Sequence, residues 1–551
     1  MIANELITAA KRLIIGAVSA SMLISTTALS GCGEKKQSGS RLDNIVTVNA
    51  VPELEPLGLD STETLTESLD LGLSVPEKLK KAYKNVGDTN PISPNLFFAD
   101  PTSVEYNGRI YLYGTCDQEE YQKNGEKGDN TYGGIDKISC FSTADMKNWT
   151  YHGDINVSIV TNWAGLSWAP SIISRPTEDG TTEFFLYFTT GGGGIGVLKA
   201  TSPLGPWTDP IGGPLLAGDT AELKDDPICW VFDPGACIDD DGVGWLAFGG
   251  GDPQQEGETG LNTRNCRIVR LGEDMVSLDS KIEVIEAPYH FEANELNYID
   301  GKFYLTYCSN WQPRNEWPED KYGDYPMPLQ CTMCYMVSDD PLNPDSWEYK
   351  GEYLLNPTSF GYPFSNNHTH LQEFNGKFYL FYQTVSLLSN MGKTDASGYR
   401  SVGVNELEVN TNKAEFSEGS MDNQGVEQVQ NFDPFVTTEA ETANVTAGVQ
   451  FKRTSGEMAA IAEDGGWIAL TSVDFDKGAD LFGVNAMGKG IIEIRLDDKD
   501  GAAVGSIQFE SLEDYSVTYC RLTEKISGVH DLYLVFGGEV TLDKWQFAAG
   551  E

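Results

Sequence analysis

The chain has 551 residues, 40 % of them hydrophobic, enough for roughly two to four domains and a large core. Its 82 acidic residues outnumber 38 basic ones, for a formal net charge of −44. Nucleic acid is excluded as a partner, because its phosphates would be repelled. Aromatic residues reach 11 % and glycines number 58, which favours many short strands joined by tight turns over long helices.

In chain order, Lys11 and Arg12 precede an apolar stretch from Leu13 to Leu29, followed by Ser30-Gly31-Cys32. This is the pattern of a secretory signal. Its end resembles a bacterial lipobox, which implies that residues 1–32 are a lipoprotein signal peptide with Cys32 as the lipidated residue. An ordinary signal peptide or a plain membrane anchor are the alternatives. The lipid would hold the protein on the outer face of the membrane at the cell surface, with no other membrane contact. Residues 33–90 are polar and acidic and read as a flexible tether carrying one short helix near Glu77–Asn85. Nine cysteines follow Cys32, an awkward number for a disulfide framework in an exported protein. Most sit in apolar runs and read as buried thiols. Cys331 and Cys334 have CxxC spacing but no second pair nearby, and read as strand residues.

From about residue 91 one phrase recurs. Its aromatic strands are Gly108–Gly114, Glu183–Phe188, Gly242–Phe248, Gly301–Tyr307 and Gly376–Tyr382, with starts about 60 to 75 residues apart. Periods of this size mark repeat architectures. Four short strands per repeat make a propeller blade, so residues 91–430 are expected to form a five-bladed β-propeller in an all-β chain. Asp100 stands eight residues before Gly108, Asp233 nine before Gly242, Glu292 nine before Gly301 and His368 eight before Gly376. The second copy holds Trp168-Ala169-Pro170 at the matching place. The innermost strand of each blade lines the central channel, so these openers are expected to converge.

Three carboxylates held together repel one another, a cost that points to function. Carboxylates with separated pKa values are the equipment of glycoside hydrolysis. One activates water, one protonates the leaving oxygen and a third keeps the acid protonated. Taken singly, each Asp-Pro also reads as a turn opener.

The stretches "FADPTSVEYNGRIYLYGTCD", "WAPSIISR", "VFDPGACIDDDGVGWLAFGGG", "FEANELNYIDGKFYLTYCSNW" and "NNHTHLQEFNGKFYLFYQT" together resemble glycoside hydrolase family 43. That resemblance implies Asp100 as general base, Asp233 as pKa modulator and Glu292 as general acid, with inversion of configuration and a base–acid gap of roughly 6.5–9.5 Å. Glu286 is the second candidate for the acid, and Glu295 is a nearer neighbour outside the register. His368 resembles the family's axial His, beside which a cation is expected, or which hydrogen bonds alone hold. Arg400 resembles an Arg near the substrate, with a surface ion pair as the alternative. Phe98 and Trp168 are expected as an apolar wall for the sugar, and Asp117 as a partner of a sugar hydroxyl.

Residues 435–551 alternate apolar and polar residues, as strands of a β-sandwich do. This region resembles a family 6 carbohydrate-binding module of jelly-roll type, which implies structural calcium held by Glu439, Glu441 and Asp543. Tyr515 and Tyr519 are candidates for stacking on sugar, although Leu542 replaces the usual Asn and Ala460 an expected aromatic. The whole reads as a monomeric, surface-anchored glycosidase without organic cofactor. It would act on polysaccharide or oligosaccharide, with arabinoxylan, xylan and arabinan as candidate substrates, releasing α-L-arabinofuranose or cleaving β-xylosidic bonds. A non-catalytic lipoprotein that captures oligosaccharides is the rival.

Overall fold

The computed structural model describes residues 54–59, 65–251, 260–393, 395–454 and 456–549. The signal peptide, Cys32 and the first part of the expected tether lie outside the described residues. Five antiparallel sheets follow one another, each starting at or within two residues of an opener. The first contains Ala99–Tyr106, Arg109–Thr115, Lys137–Thr143 and Trp149–Asn156. The second, third and fourth start at Trp168, Gly235 and His290 and have four strands each. The hairpins between first and second strands turn at Asn107-Gly108, Asp300-Gly301 and Asn375-Gly376, all six residues at positive φ. Such turns match the twist of the flanking strands. This is the expected five-bladed propeller.

The fifth blade corrects one detail. It has three strands, Thr369–Phe374, Lys377–Thr384 and Ser401–Glu406. The segment before the first blade runs along its outer strand instead. The Ile92 N–H donates to the Val402 carbonyl at 2.8 Å, and the Asn90 carboxamide accepts from the Val404 N–H at 2.8 Å. The two ends of the propeller are thereby stitched together.

Five long strands from Val445 to Ala548, most of them bulged, build the β-rich C-terminal region, with the short Thr438–Glu439 paired to the last of them. Its register shifts let strands as long as 22 residues bend around a closed core. Thr442–Ala443 pairs with Thr150 and Trp149 and so extends the first blade. One apolar core runs through both parts, joining Phe98, Leu112, Phe141 and Trp149 to Phe451, Phe482, Phe536 and Trp545. Each such fully buried side chain contributes about 1.5–3 kcal/mol, so the propeller and the sandwich pack firmly together.

The segment before residue 91 corrects the tether. Thr66–Glu67 adds a parallel strand beside Thr518 and Tyr519. Val75, Leu79, Ala82 and Val86 pack on Trp467 and Tyr533 of the sandwich, and the Trp467 indole N–H donates to the Lys80 carbonyl at 2.9 Å. No helix forms over Glu77–Asn85. The apolar residues interspersed among the charges find a ready-made face, and docking outweighs local helix propensity. Among the nine described cysteines none is bonded to another; eight are buried, while Cys229 is exposed.

Candidate active site

The openers converge through a shared backbone device. Asp100, Ala169, Asp233 and Ala293 all have left-handed φ, at 50°, 39°, 47° and 65°. Three of the blades shift register there. Non-glycine residues adopt this conformation at a cost and cluster at functional sites. The N–H of each one donates to a side chain of the preceding blade around the channel. Asp100 donates to Gln383 Oε1, Ala169 to Thr115 Oγ1, Asp233 to Thr189 Oγ1 and Ala293 to Asp233 Oδ2, all at 2.8 Å. The openers therefore fall into two classes. Asp100 and Asp233 are themselves the left-handed residue, whereas Trp168 and Glu292 stand one before it.

Asp100 is buried and held from three sides. Arg400 Nη1 donates to its Oδ1 at 2.7 Å, His368 Nδ1 lies 3.3 Å from the same oxygen, and Thr115 Oγ1 donates to Oδ2 at 2.7 Å. Burial alone would raise its pKa, but the Arg400 charge, His368 and Thr115 outweigh it and hold the carboxyl well below its usual range. Asp100 is thus ionised at neutral pH. His368, expected beside a cation or in hydrogen bonds, faces this carboxylate. Burial disfavours its charged form, yet Asp100 pulls its pKa above the ordinary value.

Arg400 and Asp117 form one unit, which corrects the reading of Asp117 and rules out the surface ion pair for Arg400. Asp117 is fully buried and accepts from Arg400 Nε and the Arg400 N–H at 2.9 Å and from Nη2 at 2.8 Å. Its oxygens are committed to the arginine, so it does not bind a sugar hydroxyl. Arg400 is a buried bridge between Asp117 and Asp100, not a surface ion pair.

Asp233 and Glu292 carry the opposite bias. Burial, reinforced by the Asp100 charge, pushes Asp233 up to about 6 despite His368 and the Ala293 N–H. Burial and then the charges of Asp233 and Asp100 push Glu292 well above the carboxylate range. The protonated form of Glu292 is therefore favoured. Its rivals sit elsewhere. The Glu286 side chain is 39 % exposed and paired with Lys321. Glu295 is buried one layer down the channel against His370 Nδ1 at 2.6 Å.

Phe98 corrects the expected sugar wall. It is fully buried and stacks on Phe141 at 4.5 Å. The left-handed turn at Asp100 turns the preceding residues toward the core. Trp168 is partly exposed, and its indole N–H donates to the Tyr132 carbonyl at 3.0 Å. Sequence reasoning missed Tyr132, which lies over Arg400 with the ring centroid 5.1 Å from Cζ. It also missed an aromatic cluster next to Asp233 and Glu292. There Trp230 meets Phe232 and Phe291 at 5.1 and 5.8 Å, and Phe291 meets Trp311 at 4.4 Å. The adjacency of Trp230-Val-Phe-Asp233 and Phe291-Glu292 was the available signal.

An ionised base, a protonated acid and a third carboxylate that favours the acid's proton are the parts of glycosidic hydrolysis. Comparison with known proteins agrees. Residues 88–412 match the profile of Glycosyl hydrolases family 43. The chain belongs to this family. Residues 439–549 of this family 43 hydrolase match Carbohydrate binding module (family 6). It is 36 % identical over 508 residues to an arabinoxylan arabinofuranohydrolase of Paenibacillus polymyxa, covering 86 % of this chain and 76 % of that one. It is 36 % identical over 498 residues to the enzyme of that name from Bacillus subtilis, covering 84 % and 93 %. A crystal structure of a Bacillus subtilis family 43 arabinoxylan arabinofuranohydrolase, in complex with cellotetraose, superposes with a TM-score of 0.78 at 33 % identity, covering 86 % of this chain and all of that one. The protein is a glycoside hydrolase that degrades hemicellulose.

In the family 6 module, Glu439, Glu441 and Asp543 are all buried. Glu441 Oε1 and Asp543 Oδ1 have no hydrogen-bond partner. Burial raises all three pKa values, that of Glu439 to about 7, and repulsion within the trio adds to the shifts of Glu439 and Glu441. Buried oxygens without donors are the donor chemistry that calcium takes. Among the described residues no three His, Cys, Asp or Glu side chains are placed as a metal set. Of the aromatic candidates, Tyr519 is buried with Leu57, Leu59 and Leu481, so it does not stack on sugar. Tyr515 remains half-buried, its hydroxyl 2.5 Å from Thr454 Oγ1.

Proposed function

We propose that the enzyme removes α-L-arabinofuranosyl side groups from arabinoxylan with inversion of configuration. The observation that carries this reading is the pairing of an anionic Asp100 with a protonated Glu292 in one channel mouth, in a chain so similar over its length to arabinoxylan arabinofuranohydrolases. Glu292 gives its proton to the glycosidic oxygen as the bond from the anomeric carbon breaks. Asp100 takes a proton from the water that attacks the opposite face of that carbon. Asp233 keeps Glu292 protonated between turnovers. Arg400 and His368 hold Asp100 ionised after the substrate has displaced solvent. The partner is the polysaccharide. The sequence of residues 11–32 supports export and a lipid anchor at Cys32, which would place the site at the cell surface.

Product analysis tests the reading. With wheat arabinoxylan the protein truncated after Cys32 should release free arabinose, first as the β anomer by NMR. Xylose or xylo-oligosaccharides would move the substrate to the xylan backbone. No product from any polymer, with oligosaccharide binding retained, would replace the enzyme by a capture protein.

We also infer that Glu439, Glu441 and Asp543 hold a structural calcium ion. The sign of its pH dependence follows from the raised pKa values. A carboxyl with a raised folded pKa destabilises the fold as pH climbs past its unfolded value, and fully so above its folded value. Glu439 sets that window between 4.5 and about 7. Treatment with a chelator should therefore lower the melting temperature at pH 8 much more than at pH 5, and added calcium should restore it. Equal melting curves with chelator and with calcium at pH 8 would refute the site.

A further inference from the structure

Tyr132 has no part in the chemistry described so far, yet the chain holds it with unusual care. It is a tyrosine in the left-handed region, with φ of 58°, a conformation that costs energy unless its surroundings impose it. Its N–H donates to Asn130 Oδ1 at 2.9 Å, and its carbonyl accepts the Trp168 indole N–H at 3.0 Å. The loop that carries it is sewn to the segment that carries Arg400. The Asn130 N–H donates to the Ser397 carbonyl at 2.9 Å, Asn130 Nδ2 to the Gly398 carbonyl at 3.1 Å, and the Tyr399 hydroxyl to the Gly128 carbonyl at 2.8 Å. The two segments are 268 residues apart in sequence and are joined by these bonds.

Gly398 is fitted to this arrangement. It has φ of +81°, and a Cβ added there would lie 2.9 Å from the Tyr132 hydroxyl. Any side chain there would crowd the hydroxyl end of Tyr132 and the Asn130 Cβ, at 3.2 Å. The ring covers one face of the Arg400 guanidinium, at 5.1 Å. The edge of that guanidinium is taken by Asp117 and one end by Asp100. The Tyr132 hydroxyl has a distant partner, the Gly398 carbonyl at 3.4 Å. Its ring is therefore the better-used part.

We propose that Tyr132 is a positioning residue of this site, its ring confining the Arg400 guanidinium to the orientation that aims Asp100 at the attacking water. The inference rests on the hydrolytic reading above. A guanidinium free on one face can tilt out of the Asp117 plane and carry the Asp100 carboxylate with it. A base displaced by an ångström is enough to cost much of the rate.

The test compares Tyr132→Phe, Tyr132→Ala and Tyr132→Leu with wild type on arabinoxylan and on 4-nitrophenyl α-L-arabinofuranoside, with melting temperatures recorded. Tyr132→Leu keeps the loop filled should the Ala variant fail to fold. The Phe variant should keep kcat within about twofold, whereas Ala and Leu should lose about 10- to 100-fold in kcat with KM nearly unchanged. The loss should be equal on both substrates. A misplaced base slows every leaving group, whereas a damaged acid spares the activated one. Full kcat in the Ala or Leu variant would overturn the proposal. So would a Phe variant as poor as Ala, which would assign the work to the hydroxyl. A loss confined to KM would make Tyr132 a wall of the pocket and no more. Wild type inactive on both substrates would instead sink the arabinofuranosyl reading, and this inference with it.

Discussion

Glu292→Ala should lower arabinose release from arabinoxylan by about 10²–10⁴-fold while largely sparing 4-nitrophenyl α-L-arabinofuranoside. The split follows from where the proton is needed. A xylan hydroxyl is a poor leaving group and must be protonated as its bond breaks, whereas 4-nitrophenolate departs without help. Glu292 is suited to supply that proton because burial and the charges of Asp233 and Asp100 keep it protonated. Glu286→Ala is the control. That side chain is 39 % exposed and paired with Lys321, away from the channel acids, so its loss should leave both rates near wild type. Parallel kinetics on the two substrates decide the matter. An Ala variant of Glu292 slowed equally on both would show that its role is not proton donation.

The propeller was legible because each blade repeats a glycine turn and an aromatic strand, and that pattern is local. The three acids were legible for the same reason, as they open blades at nearly constant spacing. What was not legible depends on backbone conformation or on distant partners. Phe98 reads as a neighbour of Asp100 facing the substrate, but the left-handed residue at Asp100 is invisible in sequence and sends Phe98 into the core. Asp117 reads as a free polar residue after a strand. Its arginine is 283 residues away, and nothing local announces it. Tyr132 sits in a glycine-rich loop with no strand periodicity to place it. The segment around Val75, Leu79, Ala82 and Val86 has the composition of a tether, because its apolar residues are diluted by charge. Only the face formed by Trp467 and Tyr533 gives those four residues a reason to order.

Asp233→Asn should convert a broad pH profile into one that fails early on the alkaline side. The pKa of Asp233 lies at about 6, raised by burial and by Asp100, so at neutral pH it carries most of a negative charge. That charge makes ionisation of Glu292 harder, and the alkaline limb of kcat/KM reports the loss of the Glu292 proton. Asparagine has nearly the same shape, and its Oδ1 can still accept the Ala293 N–H, but the charge is gone. The Glu292 pKa therefore falls and the alkaline limb moves to lower pH. Below pH 6 wild-type Asp233 is itself largely protonated, so there the two proteins should differ little. The ratio of variant to wild-type kcat/KM should decline as pH rises from 5 to 8, reaching a loss of about 10- to 100-fold on arabinoxylan. On 4-nitrophenyl α-L-arabinofuranoside the decline should be much weaker, since that substrate does not draw on the acid. A ratio that is low but flat with pH would mean that Asp233 shapes the channel through its bond to Ala293 and does not tune the acid. The acidic limb offers an independent check. It belongs to Asp100, whose pKa Arg400, His368 and Thr115 hold well below the usual range. It should stay in place when Asp233 is changed, because at the low pH where Asp100 takes up its proton the wild-type Asp233 is already protonated and neutral.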